Sequence, residues 1–463
     1  MRNNLTVVTL ILLIGIALLM LGLKCPWEKD DDDDDVTIGS SGILPNAPSG
    51  LTADAVSSSQ IDLSWTDNSN NDDGFKIERK TGAEGTYAQI DIVGPNITSY
   101  SNTGLEIATY YYKIYAYNSA GISAYSNTVS GTTTWAISTI GNSGGQGSNY
   151  NISIAVDSND KVHICYLYYP PFNDINYATN VSGSWVFTPL DNVDIEAHPS
   201  MTLDKNDKVH ISYNDDSVSY KDLYYGTNAS ESWVHTTIDE TGDVGRWNDI
   251  AVDTINKVHI SYLAGIYLKY ATNITGTWVT TTVDNTTEVR NETSIATDGN
   301  NKVHISYMDY TNKYLKYATN ITGTWVTTTI DNSGTVGGNS SIIVDSNDKV
   351  HISYYDYINK DLEYATNASG VWVTTTIDSA DEVGGGAIAR DLNDKIHISY
   401  YDMTNKALKY ATNASGSWVI TTIDSAGDVG AYSSIAIDST NKVHIAYQEI
   451  IATDGNVKYA TNK

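Results

Sequence analysis

The sequence predicts an all-β protein, a small antiparallel sandwich followed by seven repeated four-stranded units, and three observations lead there. Across 463 residues only 18% are charged, with 34 Tyr and 35 Gly but 3 Phe, a balance suited to strands and tight turns rather than long helices. A run close to Val-His-Ile-Ser-Tyr recurs around His163, His210, His259, His304, His351, His397 and His444. A Trp opening a Thr-rich apolar stretch recurs at Trp135, Trp185, Trp233, Trp278, Trp325, Trp372 and Trp418. Two independent markers in seven copies each define seven units.

Leu5 to Leu23 carry no charge, and a helix of that length nearly matches a hydrocarbon core of about 30 Å. Arg2 precedes the run, which predicts that the bulk of the chain lies outside the cytoplasm, at the cell surface. Residues 1–24 are therefore expected to be a transmembrane anchor or signal segment, and the lack of a small-residue cleavage site favours an uncleaved anchor. Cys25 follows the run directly and is a lipidation candidate, the alternative tether.

Residues 25–44 form an acidic, Gly/Ser-containing linker. Its six aspartates, Asp30 to Asp35, repel one another and make a solvated spacer. They are also the one loose carboxylate tract suited to Ca²⁺, and no other cofactor or metal is expected. With Cys25 and Cys165 the only cysteines, a disulfide framework is excluded. A net charge of −28 excludes nucleic acid as a partner, because phosphates must be met by clustered cations.

Between residues 45 and 134, period-2 runs such as Gln60–Trp65, Gly74–Arg79 and Tyr110–Asn118 alternate with Asn, Asp and Gly clusters, the pattern of short antiparallel strands. The opening Pro45-x-x-Pro48-x-x-Leu51, the strand bearing Trp65, and Tyr110 to Asn118 followed by Gly121 and Ser123 resemble a fibronectin type III domain. That resemblance implies a β-sandwich with Trp65 in the core and Tyr110 as corner tyrosine. Leu105 stands one residue closer to Tyr110 than is usual, which implies a shortened loop. No Arg-Gly-Asp motif is present, so the domain reads as a spacer.

From 135 to 463 each unit holds four strand-like runs, for example Ser434–Asp438, Lys442–Tyr447, Val457–Ala460 and Trp418–Ile423. Four short strands per repeat of this length predict a propeller blade, hence a seven-bladed β-propeller. The region starts on a lone fourth strand, residues 135–140, and stops after a third. The first strand can then complete the last blade, closing the ring and removing edges that invite aggregation. The turn Ala411-Thr-Asn-Ala-Ser-Gly-Ser-Trp418 and its copies resemble a degenerate Asp-box of sialidase-like propellers, with Asn413 in the aspartate's place and Gly416 displaced by one position. The resemblance implies a structural turn.

Seven equivalent histidines on seven units would be spread around a ring rather than converge on an ion, so each is expected to be a core residue bonded to a hydroxyl or to the repeated Asp (Asp157, Asp204, Asp253, Asp298, Asp345, Asp391, Asp438). Those aspartates are expected to start tight turns. A sialidase grips its sugar carboxylate with three arginines, and here only Arg246, Arg290 and Arg390 are available, in dissimilar contexts. Near-identical units favour multivalent binding over a single catalytic constellation.

The loops after the second and fourth strands share one rim. Asp309, Tyr355, Asp356, Tyr401, Asp402, Trp247 and Tyr432 are the candidate ligand residues there, since aromatic faces stack on sugars and carboxylates accept hydroxyl hydrogen bonds. Asn180, Asn228, Asn273, Asn320, Asn367 and Asn413 sit in Asn-x-Ser/Thr sequons and are formal N-glycosylation candidates. The functional expectation is a tethered, non-catalytic adhesion module that binds a glycan or an extracellular protein. A sialidase-like or other glycan-cleaving enzyme, and an envelope scaffold, are the alternatives.

Overall fold

The computed structural model describes residues 42–462 apart from 58–59, 106, 145–151, 169–173, 193–197, 218–219, 231 and 452–454. The expected anchor, Cys25 and the aspartate run lie outside the described residues. Among the described residues every regular element is a strand, and no helix is long and apolar enough to cross a membrane.

Residues 49–132 form two packed sheets. One holds Ser49–Ser57, Gln60–Thr66 and Ser99–Asn102; the other holds Gly74–Thr81, Ala88–Val93, Thr109–Asn118, Gly121–Ile122 and Val129–Thr132. The alternation seen in sequence turns Ile61, Leu63 and Trp65 inward against Phe75, Ile77, Tyr110, Tyr112 and Ile114. Trp65 meets Phe75 edge-on at 5.6 Å. The Tyr112 hydroxyl donates to Asn102 Oδ1 at 2.9 Å, which satisfies the one polar atom that this buried ring carries.

The rest of the chain forms seven four-stranded antiparallel sheets. Their first strands are Ile152–Val156, Ser200–Leu203, Val244–Val252, Ser294–Thr297, Val336–Val344, Val383–Arg390 and Val429–Ile437. Each first strand packs against the next, and that of the seventh sheet packs against that of the first. The third sheet is representative: Val244–Val252, Val258–Ala264, Tyr267–Thr272 and Val279–Asp284. Its second strand is buried on both faces, whereas its fourth is largely exposed, so neighbouring sheets flank the second strands and solvent meets the fourth.

Repeated residues bind each sheet internally. Asp253 Oδ1 accepts from the amides of Ile255 at 3.0 Å and Lys257 at 2.7 Å, while Asn256 takes φ 60, a left-handed position that Asn tolerates well. This is the turn expected of the repeated Asp. Asn273 Oδ1 accepts from the Val258 amide at 2.9 Å, and Asn180, Asn228, Asn320, Asn367 and Asn413 make the same bond. The sequon asparagines are therefore pins between the second and third strands. His259 Nδ1 lies 2.5 Å from the Tyr270 hydroxyl and Nε2 lies 3.2 Å from Asp253 Oδ2. The carboxylate can only accept, so Nε2 carries the proton and Nδ1 accepts from the tyrosine. Burial lowers the pKa of His259, as it does for His163, His210, His304, His351, His397 and His444.

Other repeated residues join the sheets. Asp239 Oδ2, at the end of the second sheet, accepts from Tyr262 at 2.8 Å and Lys269 at 2.5 Å, both in the third. Tyr270 stands edge-on to Trp325 of the fourth sheet at 5.1 Å. Between the last sheet and the first, the Ser439 amide donates to Asp160 Oδ1 at 2.9 Å and the Ile154 amide to Ser434 Oγ at 3.3 Å. The seventh sheet takes its fourth strand from Ala136–Gly144, which pairs with Gly455–Thr461 so that Ala136 faces Thr461.

Candidate functional site

A cavity of about 430 Å³ lies where the first strands begin, lined by residues of all seven sheets. That volume is in the range of small-ligand sites. At this end the repeats stop repeating. Three residues after the valines Val244, Val289, Val336 and Val429 stand Trp247, Glu292, Asn339 and Tyr432, whereas the sixth sheet offers the glycines Gly384 to Gly386. Strand pairing slips a register around Trp247, Asn339 and Tyr432, and these residues take φ 51, 47 and 51. A left-handed backbone is costly for Trp and Tyr, and such bulges re-aim side chains. Asn339 and Tyr432 line the cavity from such bulges, and Glu292 lines it from the segment just before Ser294–Thr297.

Two glycines at this end leave little room for a side chain. A Cβ on Gly385 would stand 2.5 Å from Asn339 Cβ and 2.6 Å from its carbonyl oxygen. A Cβ on Gly338 would run into the ring of Tyr357, whose hydroxyl accepts from Asn291 Nδ2 at 3.2 Å.

Two carboxyl groups line the cavity, in opposite states. Asp249 replaces the serine that most units carry (Ser153, Ser200, Ser294, Ser341, Ser434). It accepts from Ser200 Oγ at 2.6 Å, Ser294 Oγ at 3.0 Å and the amides of Ile295 at 2.8 Å and Ile250 at 2.9 Å. Burial still holds its carboxyl above the usual range, against the pull of those donors. Glu292 Oε2 is shielded from water and meets no hydrogen-bond donor, and burial holds this carboxyl above its ordinary range. Burial and then the charge of Glu292 raise the Tyr432 hydroxyl, and the same causes push Tyr357 up to about 12. A desolvated carboxyl with one oxygen unpaired favours its proton or a cation.

The predicted rim residues fare unequally. Asp309, Asp356 and Asp402 are buried, not displayed. Asp356 accepts from the Ile358 amide at 2.7 Å and from Asn359 N and Nδ2 at 3.1 and 2.7 Å. Asp309 does the same for Asn312, and Asp402 for Asn405. Each thus spends its oxygens on a tight turn. Tyr355 is buried edge-on against Tyr357 at 4.7 Å. Trp247 lies against His198, with centroids 4.2 Å apart and planes tilted by 35°, and packs over the core between the third and fourth sheets. Tyr401 and Tyr432 do line the cavity, and the Tyr401 hydroxyl donates to Asp428 at 2.5 Å. Sequence reasoning missed Glu292, Asn339 and Asp249; comparing the copies at the divergent position would have found all three.

Residues 46–132 match the fibronectin type III domain model. In the fibronectin type III domain Trp65 and Tyr110 are buried core residues, in keeping with the landmarks read from sequence. No curated protein matches the chain significantly. Among solved structures, a protein of unknown function from Dyadobacter fermentans is 10% identical, with 70% of this chain and 98% of that one covered and a TM-score of 0.45. The Aleuria aurantia lectin is 11% identical over 60% of this chain and 96% of its own, TM-score 0.45. An ulvan lyase, a polysaccharide lyase, is 12% identical over 69% and 94%, TM-score 0.48. At such identities and TM-scores these likenesses carry no functional argument.

The three arginines of the sialidase reading do not meet. Arg246 lies 3.6 Å from Asp243; Arg290 Nε donates to Glu288 at 2.6 Å and its guanidinium covers Tyr310. Arg390 donates to Asp394 at 2.9 Å and lines a separate pocket at the far ends of the first strands. Among the described residues no group of three or more His, Cys, Asp or Glu is placed to hold a metal ion.

Proposed function

We propose that the chain is a tethered extracytoplasmic glycan-binding protein whose seven sheets are the blades of a closed seven-bladed β-propeller, with one ligand site at the axis. Closure is supported by the Ser439–Asp160 and Ile154–Ser434 bonds between the last and first sheets and by the pairing of Ala136–Gly144 with Gly455–Thr461. The tether rests on the uncharged run Leu5–Leu23, with Cys25 as the alternative attachment.

One observation carries the function. Chemistry departs from the repeat where strained bulges turn Asn339 and Tyr432 toward a cavity shared by all seven sheets, and strain of this kind persists where it serves a site. Tyr401 and Tyr432 offer ring faces, while Asn339, the serine hydroxyls and Glu292 offer donors and acceptors, the mixture that suits a polyhydroxylated ligand. One asymmetric central site thus takes the place of the repeated rim positions expected from sequence. A glycan array probed with the full chain and with Asn339→Ala and Tyr432→Ala is the test. Binding lost in both folded variants supports the axial site; a hit retained in both overturns it.

The raised carboxyl of Glu292 supports a second reading, glycan cleavage with Glu292 as proton donor. Sugar release abolished by Glu292→Gln with binding intact would promote it.

A further inference from the structure

We propose that the axial cavity selects a ligand bearing a protonated amine, an amino sugar within the glycan reading above on which this inference rests, and that the Glu292 carboxylate beside the ring of Tyr432 receives the ammonium group.

The cavity wall is one-sided in charge. Among the described residues its lining includes Asp249 and Glu292 but no Lys, Arg or His, so a uronate or sulfate would enter with like charge and no counterion. The chain as a whole carries −28, a field that draws cations toward it. Of the two carboxyls, Asp249 has four donors and no capacity left. Glu292 Oε2 has none, and a buried carboxylate is stable only when paired. A divalent metal is a poor candidate for that pairing, because Ca²⁺ wants six or more oxygens and no cluster of acidic side chains is assembled here. An ammonium group needs one carboxylate and is further favoured by tyrosine faces. Tyr432 and Glu292 both line the cavity, and the charge of Glu292 is one of the causes that raise the Tyr432 hydroxyl.

The same arrangement sets a pH dependence. The groups that interact with Glu292 are Tyr432 on the seventh sheet and Tyr357 after the second strand of the fifth, and Asp249 on the third lines the same cavity. Arg290, two residues away, is engaged by Glu288. Both tyrosines are held above their ordinary range and stay neutral below about pH 9. The carboxyl of Glu292 is held high by burial, so it is charged only above the ordinary glutamate range. Amine binding therefore strengthens as pH rises through that point and fades again where the amine loses its proton.

The experiment is calorimetric titration of the full chain with a glucosamine tetramer, its N-acetylated counterpart, cellotetraose and butylammonium, from about pH 4 to about pH 8, repeated on Glu292→Gln. The expected result is tenfold or greater preference for the glucosamine tetramer over the other two sugars, lost in the variant and diminished at low pH. The variant's unfolding midpoint should not fall, because an unpaired buried acid is removed. Equal binding of the three tetramers, unchanged in the variant, overturns the amine inference and leaves the glycan reading standing. Butylammonium binding as tightly as the glucosamine tetramer overturns the glycan reading and leaves the amine. Binding of none of the four overturns both.

Discussion

The ring of Trp185, at the start of the first sheet's fourth strand, stands edge-on to the ring of Tyr459 in the seventh sheet, with centroids 5.5 Å apart and planes at 72°. The same pairing joins every other neighbouring pair of sheets, from Tyr177–Trp233 round to Tyr410–Trp135. An aromatic pair contributes about 0.5–1.5 kcal/mol beyond the area it buries. Trp185→Ala should therefore lower stability by about 2–4 kcal/mol once lost burial is included, and Trp325→Ala by a similar amount. Chemical denaturation of the two variants checks this. A far smaller cost at Trp185 would mean that the first and last sheets are not held as the others are.

Asp239 illustrates how the sheets respond to acid. Despite burial, the donors Lys269, Thr241 and Tyr262 depress its pKa from 3.8 to about 2. A carboxylate depressed in the folded state contributes stability that is full above its unfolded pKa and lost as pH falls through the folded one, here between about pH 4 and about pH 2, on the order of 2 kcal/mol. Asp239→Asn should flatten that limb of a stability–pH curve.

The seven buried histidines act in a different window. Their folded pKa values are lowered by burial, so the unfolded chain binds more protons below about pH 6.5. Stability is full above that pH and declines as pH falls below it. Thermal unfolding from about pH 7.5 to about pH 5 should show a steep fall, and replacing His259 by Gln should lower the midpoint at neutral pH while making the slope shallower. An unchanged slope would mean that these rings are protonated in the folded state.

Gly385 lines the cavity, whereas Gly338 lies under the ring of Tyr357 outside it. Gly385→Ala puts a methyl group against Asn339, and Gly338→Ala displaces Tyr357. Gly385→Ala should lose ligand affinity at least tenfold, with a stability cost of about 1–3 kcal/mol from overpacking, whereas Gly338→Ala, which meets only the far end of the Tyr357 ring, should cost little in either. Binding titrations beside melting curves separate the two effects.

Tyr432 holds φ 51, so Tyr432→Gly relieves backbone strain of about 1–2 kcal/mol while removing a ring from the cavity. The expected outcome is a melting midpoint close to that of the native chain together with lost binding. A large destabilisation would make this ring a core residue rather than a ligand contact.

The seven-fold architecture was legible because His, Trp, Asn and Asp serve identical internal bonds in each unit, and identical bonds demand identical residues. The same logic hid the site. Asp309, Asp356 and Asp402 recur because they close turns, so repetition marked them for structure rather than ligand. Glu292 and Asn339 are conspicuous only as departures from a pattern, and the turn of Asn339 into the cavity depends on a bulge that no local periodicity announces. Tyr432 was visible as an aromatic ring in a loop; its left-handed backbone was not.

Ala136–Gly144 is made before every other strand of the sheet that it completes, and its partner Gly455–Thr461 comes last. During synthesis this early strand must wait unpaired while six competent third strands, three of them spelling Lys-Tyr-Ala-Thr, pass by as decoys. Ending the wait on the wrong one would complete the wrong sheet. Its own sequence, Ala-Ile-Ser-Thr-Ile, departs from the Val-Thr-Thr-Thr of the third, fourth and fifth units, but its true partner ends in the same Lys-Tyr-Ala-Thr as those decoys, so spelling in the third strand alone does not single out the right one.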